Sequence, residues 1–446
     1  MPQFTRRSFL RTASLATLGL TVGRSASRAA EESRYKNLVP ADRKLRLACI
    51  GINGRGYADL SACAGEDIVG VCDVDFAWGQ RGFHEFPLAA RYRDYRQMLT
   101  EMADQIDGVV VATPDHTHYP AALMALGLGK HVYCEKPLTH TIAEARSLKA
   151  AAAKAGVVTQ MGNQGHANEG TRQVKEWIEA GVIGAVREVH AWTNRPVWPQ
   201  GIPLPKPAPT VPDTMDWNLW LGVAPEREYS PELAPFNWRG WWDYGCGALG
   251  DMACHLLDAP FWALNLRGPV RVTARSEGGS AVSCPSSSVI TYEFPARGSL
   301  PPLKLTWYDG GKKPPAKLAE LPPGEALPKG GVIYCGDQGT MFSPTDYSEH
   351  PRLTPESRMK EFVKRPPQTI PRVPGGSPHL EWIAACKGGP APGSNFVDHS
   401  VALTELVLLG NVAIRLGRPI DWDPVQGVCV NEPEADRFLS KNYRLF

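Results

Sequence analysis

Short apolar runs alternate with amphipathic ones between residues 42 and 162, and this alternation constrains the fold more than any other feature. LRLACIG and IDGVVVATP are typical of buried strands, whereas YADLSACAG and IAEARSLKAAAAKAG have the apolar spacing of helices. Strands that alternate with helices predict parallel strands joined by crossover helices, and therefore an α/β doubly wound sheet. Such sheets bind ligands at the carboxyl ends of their strands.

Residues 163–446 follow another pattern. A helix, EGTRQVKEWIEAG, leads into a strand, VREVHAWTN, and then into a passage rich in proline and tryptophan. Four later runs, VRVTARSE, SVITYEF, PLKLTWYD and GVIYCGD, predict an open, mainly antiparallel sheet in a second, α+β domain. The lysine- and proline-rich segment 312–330 predicts a surface insertion, and VALTELVLLGNVAIRLG predicts a final helix.

The first 33 residues have the three parts of a signal peptide. Arg6 and Arg7 lie in a basic start, a weakly apolar run follows from Ala13 to Val22, and small residues come next. This apolar run is shorter than the stretch of about 20 residues that is needed to span a bilayer. Because the arginine pair precedes Ser-Phe-Leu, it resembles a twin-arginine signal, which implies export of a folded, periplasmic or secreted protein.

Charge and cysteine spacing narrow the class of partner. Lysine and arginine number 48 against 46 acidic residues, and no long basic run is present. This balance argues against nucleic acid, or a membrane for the mature chain, and favours a small molecule. The ten cysteines show no CxxC spacing, so they predict no zinc site.

The motif GINGRG follows the first predicted strand and precedes a helix. Glycines there allow a tight turn and let the backbone approach a pyrophosphate, although a plain tight turn would need the same residues. Asn53 replaces the usual middle glycine, and asparagine tolerates a positive φ better than most residues. The expected pyrophosphate-binding residues are Gly51, Asn53, Gly54, Arg55 and Gly56.

Asp73 ends the next predicted strand, about 20 residues after the glycine turn. A carboxylate at this position accepts hydrogen bonds from a ribose diol. It also repels a 2′-phosphate, so the sequence favours NAD over NADP as cofactor.

The motif CEKP ends another predicted strand and places Lys136 at the mouth of the sheet. Pro137 restricts the backbone of Lys136 to extended conformations, so the turn is rigid. The lysine could anchor a phosphate, lie free on the surface or transfer a proton. A positively charged nicotinamide nearby would favour the neutral amine, which accepts a proton from a substrate hydroxyl.

The segment GCGALGDMACHLLDAP places Asp251 and His255 four residues apart, on one face of a helix. A carboxylate beside a histidine can fix its tautomer and raise its basicity for acid–base catalysis. A capping aspartate and a structural histidine would give the same pattern. Two candidate ligands without a third nearby predict no metal.

Aromatic and polar residues are concentrated before this helix. Sugars present apolar ring faces and hydroxyl edges, which suit aromatic planes with polar neighbours. Packing of the second domain is the alternative, and Arg239 could instead pair with a substrate carboxylate. The candidate substrate-binding residues are Trp192, Arg195, Trp238, Arg239 and Trp242.

In order along the chain, GINGRG, ATPDHTH, CEKPL, MGNQGH and GALGDMACH together resemble the Gfo/Idh/MocA family of glucose-fructose oxidoreductases and inositol dehydrogenases, in particular its exported members. The resemblance covers nearly all of the mature chain. It implies a Rossmann domain followed by an α+β domain whose open sheet can form a homo-oligomer.

The resemblance also implies roles for individual residues. Lys136 and His255 would be catalytic, with Asp251 beside them. Further residues would border the cofactor: Thr113, Pro114, His118, Glu135 and Asn163. Gln164 and His166 would border the substrate.

The resulting hypothesis is hydride transfer between NAD and a sugar, glycoside or cyclic polyol. Because no free NAD pool is expected outside the cytosol, export favours a tightly bound cofactor that is recycled within the site. A redox-neutral, NAD-dependent glycosidase or epimerase is the first alternative. A non-catalytic sugar-binding protein on the same fold is the second.

Overall fold

A computed structural model describes residues 35–446 of the chain. The signal-peptide prediction for residues 1–33 lies outside the described residues. All ten cysteines fall within the described range, where each is a free thiol and nine are buried.

The first sheet has six parallel strands in the order β3-β2-β1-β4-β5-β6. Its strands are β1 Arg46–Ile50, β2 Asp67–Cys72, β3 Ala90–Tyr92, β4 Gly108–Val111, β5 His131–Cys134 and β6 Thr159–Met161. The order reverses between β1 and β4, and this switch point is where doubly wound sheets bind dinucleotides.

Helices cover both faces of this sheet and continue into the second domain. In chain order they are α1 Arg55–Ala62, α2 Gln80–Glu85, α3 Tyr95–Glu101, α4 Asp115–Gly127, α5 Ile142–Ala155, α6 Glu169–Glu179, α7 Trp217–Leu221, α8 Gly247–Leu256, α9 Asp258–Ala263, α10 Glu356–Glu361, α11 Pro378–Cys386 and α12 Val401–Leu416. Helix α5 shows why its boundaries fall where they do. Thr141 and Glu144 form a capping box at its start, and Gly156 ends it in the left-handed conformation.

The second sheet has nine strands in the order β13-β12-β11-β7-β10-β9-β8-β14-β15. Its strands are β7 Val186–Trp192, β8 Arg271–Glu277, β9 Ser287–Phe294, β10 Leu303–Tyr308, β11 Gly331–Gly336, β12 Gly339–Ser343, β13 Arg352–Thr354, β14 Ile420–Asp423 and β15 Val428–Cys429. The β7–β10 pair is parallel and the other pairs are antiparallel. The predicted fold class, a doubly wound parallel sheet followed by a mainly antiparallel α+β domain, is therefore confirmed.

Several short elements were not predicted. Strands β3 and β6 have three residues each, too few to show an alternating pattern. Helix α11 returns from the C-terminal part of the chain to the first sheet, where Trp382 is fully buried with Leu47 and Val110. Such a long-range packing partner leaves no local signal in the sequence.

The insertion predicted around residues 312–330 is not purely a surface segment. Ala319 and Leu327 are buried against Trp192 and Phe342, residues of the second sheet. The segment therefore covers one face of that sheet, although its lysines and prolines suggested a solvated loop.

The C-terminal stretch Phe396–Leu416 is apolar and long enough to cross a membrane, with a mean hydropathy of 1.4. About three quarters of it is buried inside the protein, as in the core helix of a globular domain. Leu403 and Leu409, for example, are fully buried in the main core.

Candidate active site

A cleft of about 400 Å³ lies at the carboxyl ends of the first sheet and reaches across to the second domain. Its walls bring together residues that are far apart in the sequence. From the first domain they include the glycine turn, Asp73 and Lys136, and from the second domain they include Arg239 and Asp251. This is the place at which an open α/β sheet holds its ligand.

The glycine turn closes tightly behind the cleft. Gly51 and Gly54 have positive φ angles of 78° and 54°, whereas Asn53 is not among the residues with a positive φ. The expectation that Asn53 supplies the left-handed position is therefore wrong, because the adjacent Gly54 supplies it. Asn53 instead accepts a hydrogen bond from the Gly54 amide. A Cβ on Gly56 would lie 2.0 Å from the Gly51 carbonyl oxygen, so this glycine is required by packing.

Asp73 lies in the cleft wall just beyond β2, as predicted. Its carboxylate accepts hydrogen bonds from the backbone amides of Ile52 and Asp75, both at 3.1 Å. Burial raises the pKa of Asp73 to about 6, although these amides oppose the shift. The carboxylate is ionised at neutral pH and can accept hydrogen bonds from a diol.

Lys136 meets Asp251 across the cleft. The Lys136 ammonium lies 2.8 Å from Asp251 Oδ1 and 2.9 Å from the Asp251 backbone oxygen. Burial alone would raise the pKa of Asp251, but Lys136 and Arg239 outweigh burial and hold that pKa well below its usual range. Asp251 is therefore a permanent anion that fixes the position of the lysine.

Arg239 also pairs with Asp251, and this changes the interpretation of Arg239 as a partner for a substrate carboxylate. Its guanidinium lies 3.4 Å from Asp251 Oδ1 and donates a 3.1 Å hydrogen bond to Asp115. It also stacks over the ring of Trp238, 4.2 Å from the centroid. Arg239 lines the cleft, but its guanidinium already pairs with two carboxylates of this chain. These carboxylates take the place that the sequence analysis suggested for a substrate carboxylate.

His255 lies on α8 one turn beyond Asp251 and is buried, only 3% exposed. Its ring contacts Tyr347 edge-on, and its Nδ1 has no hydrogen-bond partner among residues 35–446. Burial and the nearby Lys136 lower the pKa of His255 well below its usual value. Asp251 does raise the pKa of His255, as predicted, but burial and Lys136 outweigh it, so the net shift is downward.

The remaining predicted cofactor residues mostly line the cleft. Thr113 and Pro114 form the loop after β4, and His118 lies in the first turn of α4. Both ring nitrogens of His118 lie 2.8 Å from backbone oxygens, those of Thr113 and Pro137, so this side chain holds the loop against the CEKP turn. Burial lowers the pKa of His118.

Glu135, in the CEKP turn, connects that turn to the glycine turn. Its carboxylate accepts hydrogen bonds from Arg55, at 3.1 Å, and from Gln164, at 2.8 Å. Burial and the neighbouring Asp59 raise the pKa of Glu135 to about 7. Gln164 thus contacts a cleft residue from behind and does not reach the cleft surface, contrary to its predicted contact with substrate.

Four other residues that were predicted to contact cofactor or substrate also lie outside the cleft. Asn163 is buried and accepts a hydrogen bond from Ser394. His166 is buried against Asp258. Trp192 stacks on Phe342 within the second domain, and Trp242 donates its indole N–H to the backbone of Ser280 in a separate groove. Each was predicted from its position in the sequence, which does not show the direction of the side chain.

Arg195 and Trp238 do line the cleft, as expected. Other residues that line the cleft were not predicted from the sequence, among them Tyr95, Asp115, Trp220 and Phe236. Asp115 is the most informative of these, because its buried carboxylate also accepts a hydrogen bond from the Cys246 amide at the start of α8. Its place directly after Thr113-Pro114, as the first residue of α4, was a signal that could have been used.

Two family models match the chain in sequence. The oxidoreductase family GFO_IDH_MocA, with an NAD-binding Rossmann fold, matches residues 45–163. The C-terminal alpha/beta domain of the same family matches residues 168–296. Together these matches cover more than half of the chain.

Curated relatives match parts of the chain. A D-glucoside 3-dehydrogenase of Escherichia coli K12 is 29% identical over 54% of this chain and 60% of its own length. Glycosyl hydrolase family 109 protein 2 of Shewanella sp. ANA-3 is 31% identical over 32% of this chain and 36% of its own length. The chain thus spans less than two thirds of the length of these relatives.

The WlbA dehydrogenase of Chromobacterium violaceum, solved in complex with NADH and UDP-GlcNAcA, is similar in fold. Its TM-score is 0.60 at 18% identity, over 86% of this chain and 99% of that one. The family models, the sheet order and the glycine turn agree with one another, and the chain belongs to the Gfo/Idh/MocA oxidoreductase family, with an NAD-binding Rossmann domain followed by a C-terminal α/β domain.

Proposed function

We propose that this protein is an NAD-dependent oxidoreductase that transfers hydride to or from a sugar, glycoside or cyclic polyol. The observation that carries the proposal is the 2.8 Å contact of Lys136 with Asp251 in the same cleft as the glycine turn and Asp73. A proton-transfer group thus lies beside a dinucleotide-binding turn, which is the arrangement that oxidation of a hydroxyl requires.

The residues of the first domain fit NAD. The glycine turn is too tight for side chains at Gly51 and Gly56, because an added Cβ would meet backbone atoms at 2.6 and 2.0 Å. The start of α1 faces the cleft with Gly54 and Arg55, which suits a pyrophosphate. Asp73 would accept the ribose hydroxyls. NAD itself supplies the hydride acceptor.

Lys136 is the residue that we assign to proton transfer. Asp251 accepts hydrogen bonds from its ammonium and keeps the nitrogen at the mouth of the first sheet. Arg239 shares the same carboxylate, with its Nε 3.4 Å from Asp251 Oδ1. The amine at this position would take the proton from a substrate hydroxyl as its carbon is oxidised. The neutral, buried His255 lies close behind and would orient the substrate or relay the proton.

A sugar-like substrate suits the second-domain wall of the cleft. The wall combines the indoles of Trp198 and Trp238 with the partly exposed guanidinium of Arg195, whose side chain is 31% exposed. Aromatic faces and charged hydrogen-bond donors together recognise a polyhydroxylated ring. The D-glucoside 3-dehydrogenase and the dehydrogenase solved with a UDP-sugar act on or bind molecules of this class.

We further propose that the protein works outside the cytosol, as a homo-oligomer with a tightly held, recycled cofactor. The location and the bound cofactor rest on the twin-arginine-like segment of residues 1–33, whereas the homo-oligomer rests on the open nine-stranded sheet of the second domain. A protein that is exported folded can carry its cofactor with it, and an enzyme without a cytosolic NAD pool needs one that does not dissociate.

A redox-neutral reaction is the second candidate. In such a cycle the sugar is oxidised, undergoes elimination or epimerisation at the activated carbon, and is reduced again by the same cofactor. The similarity to a glycosyl hydrolase of family 109 favours it.

The test uses the mature, full-length protein. Released nucleotide is measured after denaturation, and absorbance near the reduced-nicotinamide band is followed while sugars and glycosides are added one at a time. A lasting rise that a second carbonyl compound reverses supports the oxidoreductase. Product formation without a lasting rise supports the redox-neutral cycle. Sugar binding without nucleotide, unchanged in a Lys136→Ala variant, would overturn both and indicate a binding protein.

A further inference from the structure

A second cluster of chemically active side chains lies behind the active site. It consists of His166, Asp258 and His399, whose candidate ligand atoms all lie within 4.8 Å of one another. His166 Nδ1 is 3.0 Å from both carboxylate oxygens of Asp258, and His399 Nε2 is 2.6 Å from one of them. The three residues come from three separate parts of the chain, so their meeting is a product of the tertiary fold.

The cluster is closed to solvent. The side chains of His166, Asp258 and His399 are 0%, 2% and 4% exposed, respectively. Asp258 pairs with these two histidines. Within residues 35–446, no lysine or arginine nitrogen lies within ion-pair distance of its carboxylate. A buried carboxylate needs compensating charge.

One imidazole nitrogen of the cluster is left unsatisfied. His166 Nε2 is buried without a hydrogen-bond partner among the described residues. The carboxylate of Asp258 lies between the two rings, 3.0 Å from His166 Nδ1 and 2.6 Å from His399 Nε2. A buried carboxylate flanked by two imidazoles is a ligand set for a divalent cation.

We propose that His166, Asp258 and His399 bind a structural zinc ion. Imidazole nitrogen and carboxylate oxygen bind zinc at about 2.0–2.2 Å, so ligand atoms around one ion lie roughly 3 to 4 Å apart. Here the contacts of Asp258 with the two rings are 3.0 and 2.6 Å, and all candidate ligand atoms lie within 4.8 Å of one another. The same donor set can hold iron, but iron centres of this type keep open positions for reactants. The closed surroundings here favour zinc, with a buried water as the fourth ligand.

The location of the cluster would let the ion cross-link three segments of the chain, and this role is independent of the proposed reaction. His166 lies on the 3₁₀ turn Gln164–Ala167, whose Gln164 donates to Glu135 next to Lys136. Asp258 begins α9, three residues after His255, and His399 lies in the π-helical turn Phe396–Ser400 before α12. Zinc would therefore tie the loop behind the lysine to the two C-terminal segments.

The test measures metal directly. The mature protein is produced in zinc-containing medium and purified without a metal-affinity step, and zinc, iron, manganese and nickel are determined by elemental mass spectrometry. We expect stoichiometric zinc, and a melting temperature that a strong chelator lowers and added zinc restores. In the His399→Gln variant, loss of a direct ligand should lower zinc affinity by more than the roughly 10- to 100-fold that loss of a supporting residue costs, so the zinc content should fall toward background.

His379→Gln is the matched control. His379 is also buried and hydrogen-bonded to a carboxylate, with its Nε2 2.9 Å from Asp59, but it lies outside the cluster and should leave the zinc content unchanged. If the native protein carries only background metal and zinc leaves its melting temperature unchanged, the residues form a metal-free hydrogen-bonded cluster and the proposal fails. Equal zinc in native and His399→Gln protein would also overturn it. Both readouts are independent of NAD and of turnover.

Discussion

The ammonium of Lys136 lies 2.8 Å from the carboxylate of Asp251, although 115 residues separate them in the chain. The lysine lies two residues beyond the end of β5 in the first domain, and the aspartate lies on helix α8 of the second domain. The pair therefore joins the two domains at the point where cofactor and substrate would meet.

Replacing Lys136 by methionine should abolish most of the turnover without removing the cofactor. Methionine keeps the length of the apolar stem but cannot accept or donate the proton, so kcat should fall by about 10²- to 10⁴-fold. Nucleotide released per chain after denaturation should stay at the native level. Lys154→Met is the control, because Lys154 lies exposed near the end of α5. Unchanged kcat in Lys136→Met would remove the lysine from the mechanism.

Asp251→Asn should destabilise the fold strongly. The change leaves Lys136 and Arg239 without their shared anion, in a place where the side chains of Lys136 and Asp251 are only 10% and 12% exposed. Loss of one partner of a buried pair costs about 3–5 kcal/mol in the free energy of unfolding. The comparison is Asp243→Asn, which breaks the more exposed pair with Arg227 and should cost about 1 kcal/mol or less. Equal chemical denaturation midpoints for the two variants would contradict the assignment.

NAD affinity should fall in acid because of Asp73. Its pKa of about 6 means that the carboxylate is protonated below that pH and no longer accepts both ribose hydrogen bonds. The dissociation constant, measured by calorimetry on nucleotide-free protein, should rise about tenfold per pH unit below pH 6. Asp73→Asn should bind NAD more weakly at neutral pH and lose this pH dependence.

The same group affects stability with the opposite sign. An acid whose pKa is raised on folding stabilises the fold below its unfolded pKa, near 3.9, and this contribution is lost as the pH rises through about 6. Native protein without NAD should therefore lose stability across this window relative to Asp73→Asn. A parallel pH dependence of the two melting temperatures would show that Asp73 has no such raised pKa.

Gly56→Ala should eliminate NAD binding. The new Cβ would lie 2.0 Å from the Gly51 carbonyl oxygen, so the backbone of the turn must move. We expect loss of bound nucleotide and a cost of roughly 1–3 kcal/mol in the free energy of unfolding. Gly65→Ala has no heavy atom within 4 Å of its added Cβ and should leave both quantities unchanged. Full nucleotide content in Gly56→Ala would mean that the turn does not hold the pyrophosphate.

Much of the fold could be predicted from local pattern. Runs such as IDGVVVATP become buried parallel strands because every residue of such a strand faces a hydrophobic layer. The glycine turn was also recognisable, since its conformation depends on the absence of side chains at adjacent positions. The cluster of His166, Asp258 and His399 was not recognisable, because the pattern around Asp258 gave no sign that His399 lies beside it.

The sequence by itself determined the doubly wound sheet and the glycine turn, and it pointed to Lys136 and Asp251 as candidate reactive residues, since strand, turn and helix patterns are short-range properties of the chain. Only the tertiary structure decided which side chains face the cleft. It turned Trp192 toward Phe342, paired Arg239 with Asp115 and Asp251, and buried His255 without a partner for its Nδ1 among the described residues. Side-chain direction and charge pairing depend on neighbours that can lie far away in the chain, as Asp115 does for Arg239 and Phe342 does for Trp192.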